Sequence, residues 1–138
     1  MADRIRRILF IFWQSTYGFL QTFLGMIVFL VNLNRPHFFY RNAIYTVWKN
    51  YSGVSLGLFV FIPDLKEPIY RKHVMDHEFG HCVQSAILGP LYLPIIGIPS
   101  FSWANLPVSE HYRVRKHVNY EAFYTERWAN RLGDTEQW

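Results

Sequence analysis

Two histidines and one glutamate stand close together in the middle of the chain, in the run His77-Glu78-Phe79-Gly80-His81. Residues four apart on a helix lie on one face and one turn apart, so both imidazoles can bind a single ion. A glutamate beside that ion can accept a proton from an activated water and pass it to a leaving amine. The spacing predicts a zinc site with His77 and His81 as ligands and Glu78 as the catalytic acid–base group. A helix with two surface histidines is the alternative.

A catalytic zinc ion needs a third protein ligand. Residues 124–132 have the pattern of a helix that ends at Gly133, and Glu126 is the predicted third ligand. Asn130 lies four residues later on the same face, where its side-chain oxygen can accept the spare N–H of a ligand histidine. Glu121 is the competing candidate for the third ligand.

Several polar residues near these two helices are candidates for supporting roles. His73 lies one turn before the first ligand histidine and is predicted to lie behind the ligands or in solvent rather than to bind the ion. Tyr120, Tyr124 and His117 are candidate hydrogen-bond donors to the oxyanion of the reaction. His117 and His111 are also alternative ligands. Packing of the tyrosines and simple exposure of the histidines are the other interpretations of these residues.

The two motifs together resemble a known family. The run His77–His81 followed by Glu126–Asn130 is similar to the gluzincin metalloproteases, most of all to their membrane-embedded branch, the prenyl-protein and heat-shock membrane proteases. In that family a glutamate on a second helix is the third zinc ligand and is followed by alanine and aspartate; here Asn130 stands at the aspartate position. The resemblance covers residues 54–133 and implies a zinc endopeptidase. It also implies that the substrate lies extended along a strand before the metal helix, where residues 54–62 are placed.

The elements that must position these residues begin with a long apolar segment. Residues 8–33 contain no charged side chain and are long enough, as a helix, to cross a hydrocarbon core of roughly 30 Å. Three arginines precede this segment, and no signal-peptide cleavage pattern follows it. We therefore predict an uncleaved N-terminal transmembrane anchor over residues 1–34 and a minimal metalloprotease domain over residues 35–138. A buried helix of a soluble protein is the alternative.

Small and polar residues recur at helical spacing on one face of this N-terminal segment. Such residues in a membrane helix permit close approach and hydrogen bonding to another helix. The pattern predicts a protein contact, made either with the rest of the chain or with a second copy in a homo-oligomer, through Gln14, Gly18, Gln21 and Gly25.

The middle of the chain is predicted to carry one more helix, a strand and the metal helix. Residues 40–51 are aromatic and basic, which suits a short helix at a membrane interface. Residues 54–62 form a short apolar run between Gly53 and Pro63, which predicts a β-strand or hairpin. Residues 69–88 can form the helix that carries the metal motif, because a glycine–proline pair ends the pattern there.

A second apolar segment, residues 86–106, is uncharged and about as long as a membrane span, but glycines and prolines interrupt it. A single crossing would put His81 and Glu126 on opposite membrane faces, some 30 Å apart, where they could not share an ion. We therefore predict a re-entrant or interfacial segment, which places the active site near the membrane surface. A hydrophobic connector within the domain is the alternative.

Composition and charge bound the remaining function classes. The 138 residues are 51% hydrophobic and only 17% charged, which favours a membrane protein. The net charge of +4 is scattered along the chain, which argues against nucleic-acid binding and is compatible with anionic lipids. The single cysteine rules out an internal disulfide.

These observations predict an α-rich membrane protein of the α+β class, integral to an inner or cytoplasmic membrane. Its expected function is zinc-dependent hydrolysis of peptide bonds in membrane-associated polypeptides, with the lipid bilayer and a polypeptide substrate as partners. Two other functions stay open. One is a zinc-binding but catalytically inactive membrane scaffold, and the other is a metal-free membrane interaction protein that uses the stripe of small and polar residues.

Overall fold

The computed structural model of the chain describes residues 1–133, most of which are helical. The α-helices in this range are α1 (Ala2–Thr16), α2 (Phe19–Val31), α3 (Pro68–Leu88), α4 (Ile98–Asn105), α5 (Pro107–Lys116) and α6 (Tyr124–Gly133). The strands are β1 (His37–Tyr40), β2 (Ala43–Trp48), β3 (Val54–Leu56) and β4 (Phe59–Pro63). The remaining helical turns are two 3₁₀ turns and one π turn, at Gly89–Leu91, Tyr120–Ala122 and Leu93–Gly97.

The strands form one sheet in the order β1-β2-β4-β3, so that β1 and β3 lie at its edges. β2 and β4 pair in parallel, and each edge strand pairs antiparallel with its neighbour. Successive side chains of β4 point to opposite faces of the sheet. Val60 and Ile62 pack with Met75 of α3, whereas Phe59 and Phe61 pack with Phe29 and other apolar side chains of α1 and α2. Helices therefore cover both faces, which is why β4 is apolar throughout.

The predicted interfacial helix over residues 40–51 is wrong, because this region forms a hairpin turn and β2. Arg41 and Asn42 have positive φ values of 46° and 73°, which suit the two central residues of a tight hairpin turn. In β2 the alternate residues Ala43, Tyr45 and Val47 are buried in the core. These three buried apolar side chains follow the two-residue period of a strand rather than a helical period.

The predicted transmembrane helix is also wrong. Within residues 1–133 no single helix is both long enough and apolar enough to cross a membrane. The predicted span is divided into α1 and α2, which are bent relative to each other by 103°. The break lies at Tyr17 and Gly18, and Thr22 Oγ1 donates a hydrogen bond of 2.7 Å to the carbonyl oxygen of Gln14 near the end of α1. The fold is therefore mainly helical with a small sheet, and it is not organised around a spanning helix.

The small and polar residues of the N-terminal segment contact other parts of the same chain. Gln14 and Gln21 are buried, and each donates hydrogen bonds of 2.8–2.9 Å to α3 or to the turn that follows it. A Cβ added to Gly18 would lie 2.7 Å from the side chain of Gln14, and one added to Gly25 would lie 2.6 Å from the carbonyl oxygen of Leu56. The bend between α1 and α2 is favoured because it brings both glutamines to partners that satisfy them.

Helices α3 and α6 make the most extensive helix–helix contact in the described chain, and their backbones touch. A Cβ added to Gly80 would overlap the carbonyl group of Ala129. Likewise, a Cβ added to Gly133 would overlap the carbonyl group of Asp76. This close approach is available only to residues with very small side chains. It places the facing side chains of the two helices within bonding reach of one another.

The apolar segment 86–106 folds back so that α6 can reach α3. It comprises the end of α3, the first 3₁₀ turn, the π turn and α4. Tyr92, Ile96 and Trp103 are buried, whereas Ile98 and Phe101 are each 63% exposed. The glycines and prolines divide the segment into short pieces, as their disruption of regular helix would predict.

Candidate metal centre

Helix α3 begins and ends at residues whose chemistry favours those ends. The side chain of Glu67 accepts hydrogen bonds from the backbone N–H groups of Ile69 and Tyr70, and Pro68 occupies the first helical position. Gly89 ends the helix with a positive φ of 53°. The uninterrupted helix between these residues holds the motif histidines on the face that meets α6.

The two histidines and the predicted third ligand converge on one point. The Nε2 atoms of His77 and His81 each lie 2.9 Å from Oε2 of Glu126. One potential ligand atom from each residue lies within 4.8 Å of the others, and all three side chains are buried. The structure thus brings the two histidines together with a glutamate that lies 45 or more positions later in the chain.

This donor set fits a zinc ion. Two imidazoles and one carboxylate are a ligand set that catalytic zinc sites use, with a fourth position left for water or substrate. A tetrahedral zinc ion about 2.0–2.1 Å from its ligands separates them by about 3.3 Å, so a small opening of the 2.9 Å contacts admits the ion. The three residues therefore form a cluster that could hold a metal ion.

An asparagine fixes the ring of His77. Nδ1 of His77 lies 2.5 Å from Oδ1 of Asn130, and Nδ2 of Asn130 donates a hydrogen bond of 2.9 Å to Oε2 of Glu121. A carboxylate only accepts hydrogen bonds, so it requires the amide nitrogen to face Glu121 and the amide oxygen to face His77. His77 then donates through Nδ1 and keeps the Nε2 lone pair for a metal ion.

A glutamine does the same for His81. Nδ1 of His81 lies 2.7 Å from Oε1 of Gln84, and Nε2 of Gln84 donates a hydrogen bond of 2.9 Å to the carbonyl oxygen of Thr125. The backbone carbonyl accepts only, so it orients this amide as Glu121 orients the other one. Gln84 was not among the residues predicted from the sequence. Its position three residues after His81, on the same side of α3, is the signal that could have identified it.

The second oxygen of Glu126 is held away from the histidines. Oε1 accepts a hydrogen bond from Ser100 of α4 and lies 3.4 Å from the hydroxyl oxygen of Tyr120. Thr125 Oγ1 also lies 3.3 Å from it. With Oε1 engaged in this way, Oε2 points at both imidazoles. Ser100 is a second residue that the sequence analysis did not identify.

Glu78 faces a cavity next to the three candidate ligands. Its Oε2 accepts a hydrogen bond of 2.9 Å from Ser55 of β3, and a Cβ on Gly53 would overlap its Oε1. The adjoining cavity has a volume of about 270 Å³ and also borders His81 and Tyr120. Most of its wall is apolar, and this part is formed by Leu56, Leu93, Ile98 and Phe101. The carboxylate of Glu78 is therefore held in one orientation beside a cavity that the candidate ligand His81 also lines.

Burial and charge act in opposite directions on the ionisation of the three ligands. Burial lowers the pKa of His77, but the hydrogen bond to Glu126 and the charges of Glu78 and Glu126 outweigh it and raise that pKa to about 9. The pKa of His81 is raised for the same reasons. Burial raises the pKa of Glu126, but the charge of His81 and hydrogen bonds from both rings hold it well below its ordinary value. The protonated rings and the ionised carboxylate thus stabilise each other.

The other predicted site residues lie at varied distances from the three ligands. His73 is bonded through Nε2 to Oε1 of Glu121 at 2.9 Å, and Tyr120 lies on the cavity wall. The hydroxyl group of Tyr124 donates to the carbonyl oxygen of Ile95. The remaining two candidates are His111 of α5 and His117 at its C-terminal end. Both are exposed, and neither lines the cavity.

Comparisons with known proteins do not identify the chain. No family model, no curated protein and no solved structure matches it. The geometry and chemistry of the candidate metal centre are therefore the basis for assigning a function.

Proposed function

We propose that the protein is a zinc-dependent peptidase that cleaves polypeptides at a lipid surface. The observation that carries this proposal is the convergence of His77, His81 and Glu126 around one point, beside an oriented Glu78 and a cavity. A purely structural zinc site is closed by four protein ligands. Within residues 1–133 the cluster offers three, and a cavity large enough for part of a substrate lies next to it.

The residues around the cavity suit peptide-bond hydrolysis. A zinc ion held by the three ligands would polarise the scissile carbonyl group and lower the pKa of a water molecule. The carboxylate of Glu78 would take the proton from the attacking water and deliver it to the leaving amine. The hydroxyl group of Tyr120 lies on the same cavity wall. Burial raises its pKa above the ordinary value, so the hydroxyl group keeps its proton and stays a hydrogen-bond donor. It is the candidate donor to the developing oxyanion.

The edge of the sheet offers a place for an extended substrate. β3 pairs with β4 on one side, and in the described sheet its other edge has no strand partner. Val54, Ser55 and Leu56 of this strand also line the cavity. The hydroxyl group of Tyr92 already donates to the carbonyl oxygen of Ser55, so a peptide at this edge would hydrogen-bond to the main-chain groups of β3 that remain, while pockets select its side chains. The apolar cavity wall favours a substrate with a large apolar side chain next to the scissile bond.

The N-terminal helix has the surface pattern of a helix that lies on a membrane. Its exposed apolar side chains share one face and comprise Ile5, Ile8, Leu9, Phe12 and Trp13. At 100° per residue, Arg4 and Arg6 fall on either side of this face, about 100° from its centre. Their long side chains can reach anionic head groups while the apolar face enters the acyl boundary. The partner that fits this charge pattern is an anionic lipid surface on which α1 lies without crossing the bilayer.

Metal analysis combined with one substitution tests the catalytic part of the proposal. We expect the purified full-length chain to bind one zinc ion and to cleave a quenched-fluorescence peptide library. Glu78→Gln should keep the zinc and lose about 10²–10⁴-fold in cleavage rate, because the acid–base group is removed. Glu110→Gln removes an exposed glutamate of α5 and serves as the matched control.

Two results would argue against this function. Absence of stoichiometric zinc would reject the metal centre itself. If both proteins retain zinc and Glu78→Gln cleaves as fast as the wild type, Glu78 is not the acid–base group of a peptidase. If both retain zinc and the wild type cleaves nothing, the protein binds zinc but is not a peptidase.

A further inference from the structure

Glu121 occupies a particular position behind the candidate metal centre. It lies in the 3₁₀ turn Tyr120–Ala122 just before α6, and the side chain of Asn119 accepts a hydrogen bond from its backbone N–H. One carboxylate oxygen is 2.9 Å from Nε2 of His73, and the other accepts the hydrogen bond from Asn130 at 2.9 Å. Glu121 thus touches residues of α3 and α6 but none of the three candidate ligands.

A continuous chain of hydrogen bonds runs from the metal ligand to this carboxylate. His77 is bonded to Asn130, Asn130 to Glu121, and Glu121 to His73. The corresponding chain behind His81 ends on a neutral backbone carbonyl group, that of Thr125. The two ligand histidines are therefore supported by similar amides but by different charges.

The charge matters because Asn130 itself is neutral. A ligand histidine whose other nitrogen donates toward a negative group is more basic and binds a metal ion more tightly. An amide can transmit this effect only if its oxygen stays toward the ring. Without Glu121, the amide can also turn its nitrogen toward the ring. Nδ1 of His77 would then have to accept a hydrogen bond, and the ring proton would lie on Nε2. The carboxylate of Glu121 removes that second orientation.

We infer that Glu121 is a positioning residue of the metal centre, which acts through Asn130 to orient His77 and supplies the negative charge that Asn130 lacks. This inference rests on the proposed zinc site. Glu121 performs the role without binding the ion, since both of its oxygens are engaged by His73 and Asn130. Burial raises the pKa of the Glu121 carboxyl group, but the hydrogen bonds from these two residues lower that pKa by more than burial raises it. The net lowering keeps the group ionised.

A double-mutant cycle tests this role through zinc affinity, measured on the full chain by competition with a chelator. Glu121→Gln should weaken zinc binding by about 10-fold, at the lower end of the effect of such supporting groups. Asn130→Asp together with Glu121→Gln exchanges the positions of the amide and the carboxylate. The double variant should recover the affinity, because the new amide can donate to a carboxylate that now accepts from His77 directly.

The diagnostic result is that Glu121→Gln weakens binding when residue 130 is Asn and does not weaken it when residue 130 is Asp. No loss in the first background, or an equal loss in both, would overturn the inference. Glu110→Gln is the control for removal of one negative charge, and thermal unfolding of the metal-free proteins verifies that each is folded. If Glu121→Gln does not fold, Asn130→Asp is compared with the double variant instead. The inference then requires the double variant to bind zinc at least as tightly as Asn130→Asp does. A wild type that binds no zinc would reject the proposed function instead.

Discussion

The candidate ligands form a compact charge cluster at the residue scale. The imidazoles of His77 and His81 share one oxygen of Glu126, and protons on the rings would balance its buried charge when no cation is bound. A metal ion replaces those protons, because a ligand imidazole must be deprotonated at the coordinating nitrogen. Protons and zinc therefore compete for the same position, and the metal-free and zinc-bound proteins should respond differently to pH.

The stability of the metal-free protein should fall as the pH rises from 6.5 to 9. The pKa of His77 is raised from 6.5 to about 9 in the folded state, so this group contributes stability below pH 6.5 that is lost as the pH passes through 9. The pKa of Glu126 is lowered from its ordinary value of 4.5 in the folded state. This group therefore contributes stability above pH 4.5 that is lost in acid. Thermal unfolding in chelator should therefore give the highest Tm between pH 4.5 and 6.5.

Two controls separate this effect from general alkaline destabilisation. The zinc-saturated protein should not show the decline between pH 6.5 and 9, because its rings carry no proton on the coordinating nitrogens. Glu126→Gln should lower the Tm at pH 6 and flatten the curve above it. A metal-free wild type whose Tm is constant or rises over this range would contradict the charge cluster.

The candidate ligands and the candidate acid–base group were more predictable from sequence than the residues that support them. His77, Glu78 and His81 follow from spacing on one helix, and the pairing of Glu126 with Asn130 follows from the family resemblance. Gln84, Ser100 and Ser55 were missed. Their roles depend on which carbonyl or carboxylate faces them after folding, and that information lies in tertiary contacts rather than in local spacing.

At the element scale, the site depends on how closely α3 and α6 approach. The backbones touch where Gly80 faces Ala129 and where Gly133 faces Asp76. This approach lets a carboxylate on α6 reach imidazoles on α3 without long side chains between them. The two small residues inside the motifs, Gly80 and Ala129, thus have a packing role beside the chemical roles of their neighbours.

Gly80→Ala should separate α3 from α6 and damage the metal centre. The new methyl group would overlap the carbonyl group of Ala129, which is backbone and cannot rotate away. Overpacking of this kind costs about 1–3 kcal/mol of stability, and zinc affinity should fall with it. Thermal unfolding and chelator competition measure the two effects.

Gly97→Ala is the matched substitution for this experiment. Its new Cβ would lie 3.0 Å from a terminal methyl group of Leu93, a flexible side chain that can move. We expect zinc affinity close to that of the wild type in this variant. Equal affinities for Gly80→Ala and the wild type would show that close helix packing is not required.

Some elements were predictable from sequence, and others depended on tertiary contacts. The metal helix α3 and the helix α6 have clear end signals, and both form. The N-terminal segment has the length and hydropathy of one span, but Gln14 and Gln21 find hydrogen-bond partners around α3 only when the helix bends at Gly18. Hydropathy alone cannot register such partners, because it scores each residue without its neighbours.

At the scale of the whole molecule, apolar surface reaches the mouth of the cavity. Ile98 and Phe101 line the cavity and are each 63% exposed. Further exposed apolar side chains cover α1 and α2, among them Ile8, Phe12 and Phe23. A protein in water rarely leaves so many large apolar groups uncovered without a partner. The proposed lipid surface would cover apolar side chains of this kind.

Binding to vesicles tests this arrangement. The full chain should float with phosphatidylcholine vesicles that contain phosphatidylglycerol and bind less to pure phosphatidylcholine, because the arginines beside the apolar face of α1 attract anionic head groups. Phe12→Glu should weaken binding by about 30-fold, since insertion of one phenylalanine side chain contributes about 2 kcal/mol. Phe12 is 65% exposed, so the substitution should not disturb the core. Asn50→Glu adds the same charge at an exposed loop position and should cause only a small loss that salt abolishes. Equal binding by the two variants, or no flotation of the wild type, would show that α1 does not lie on lipid.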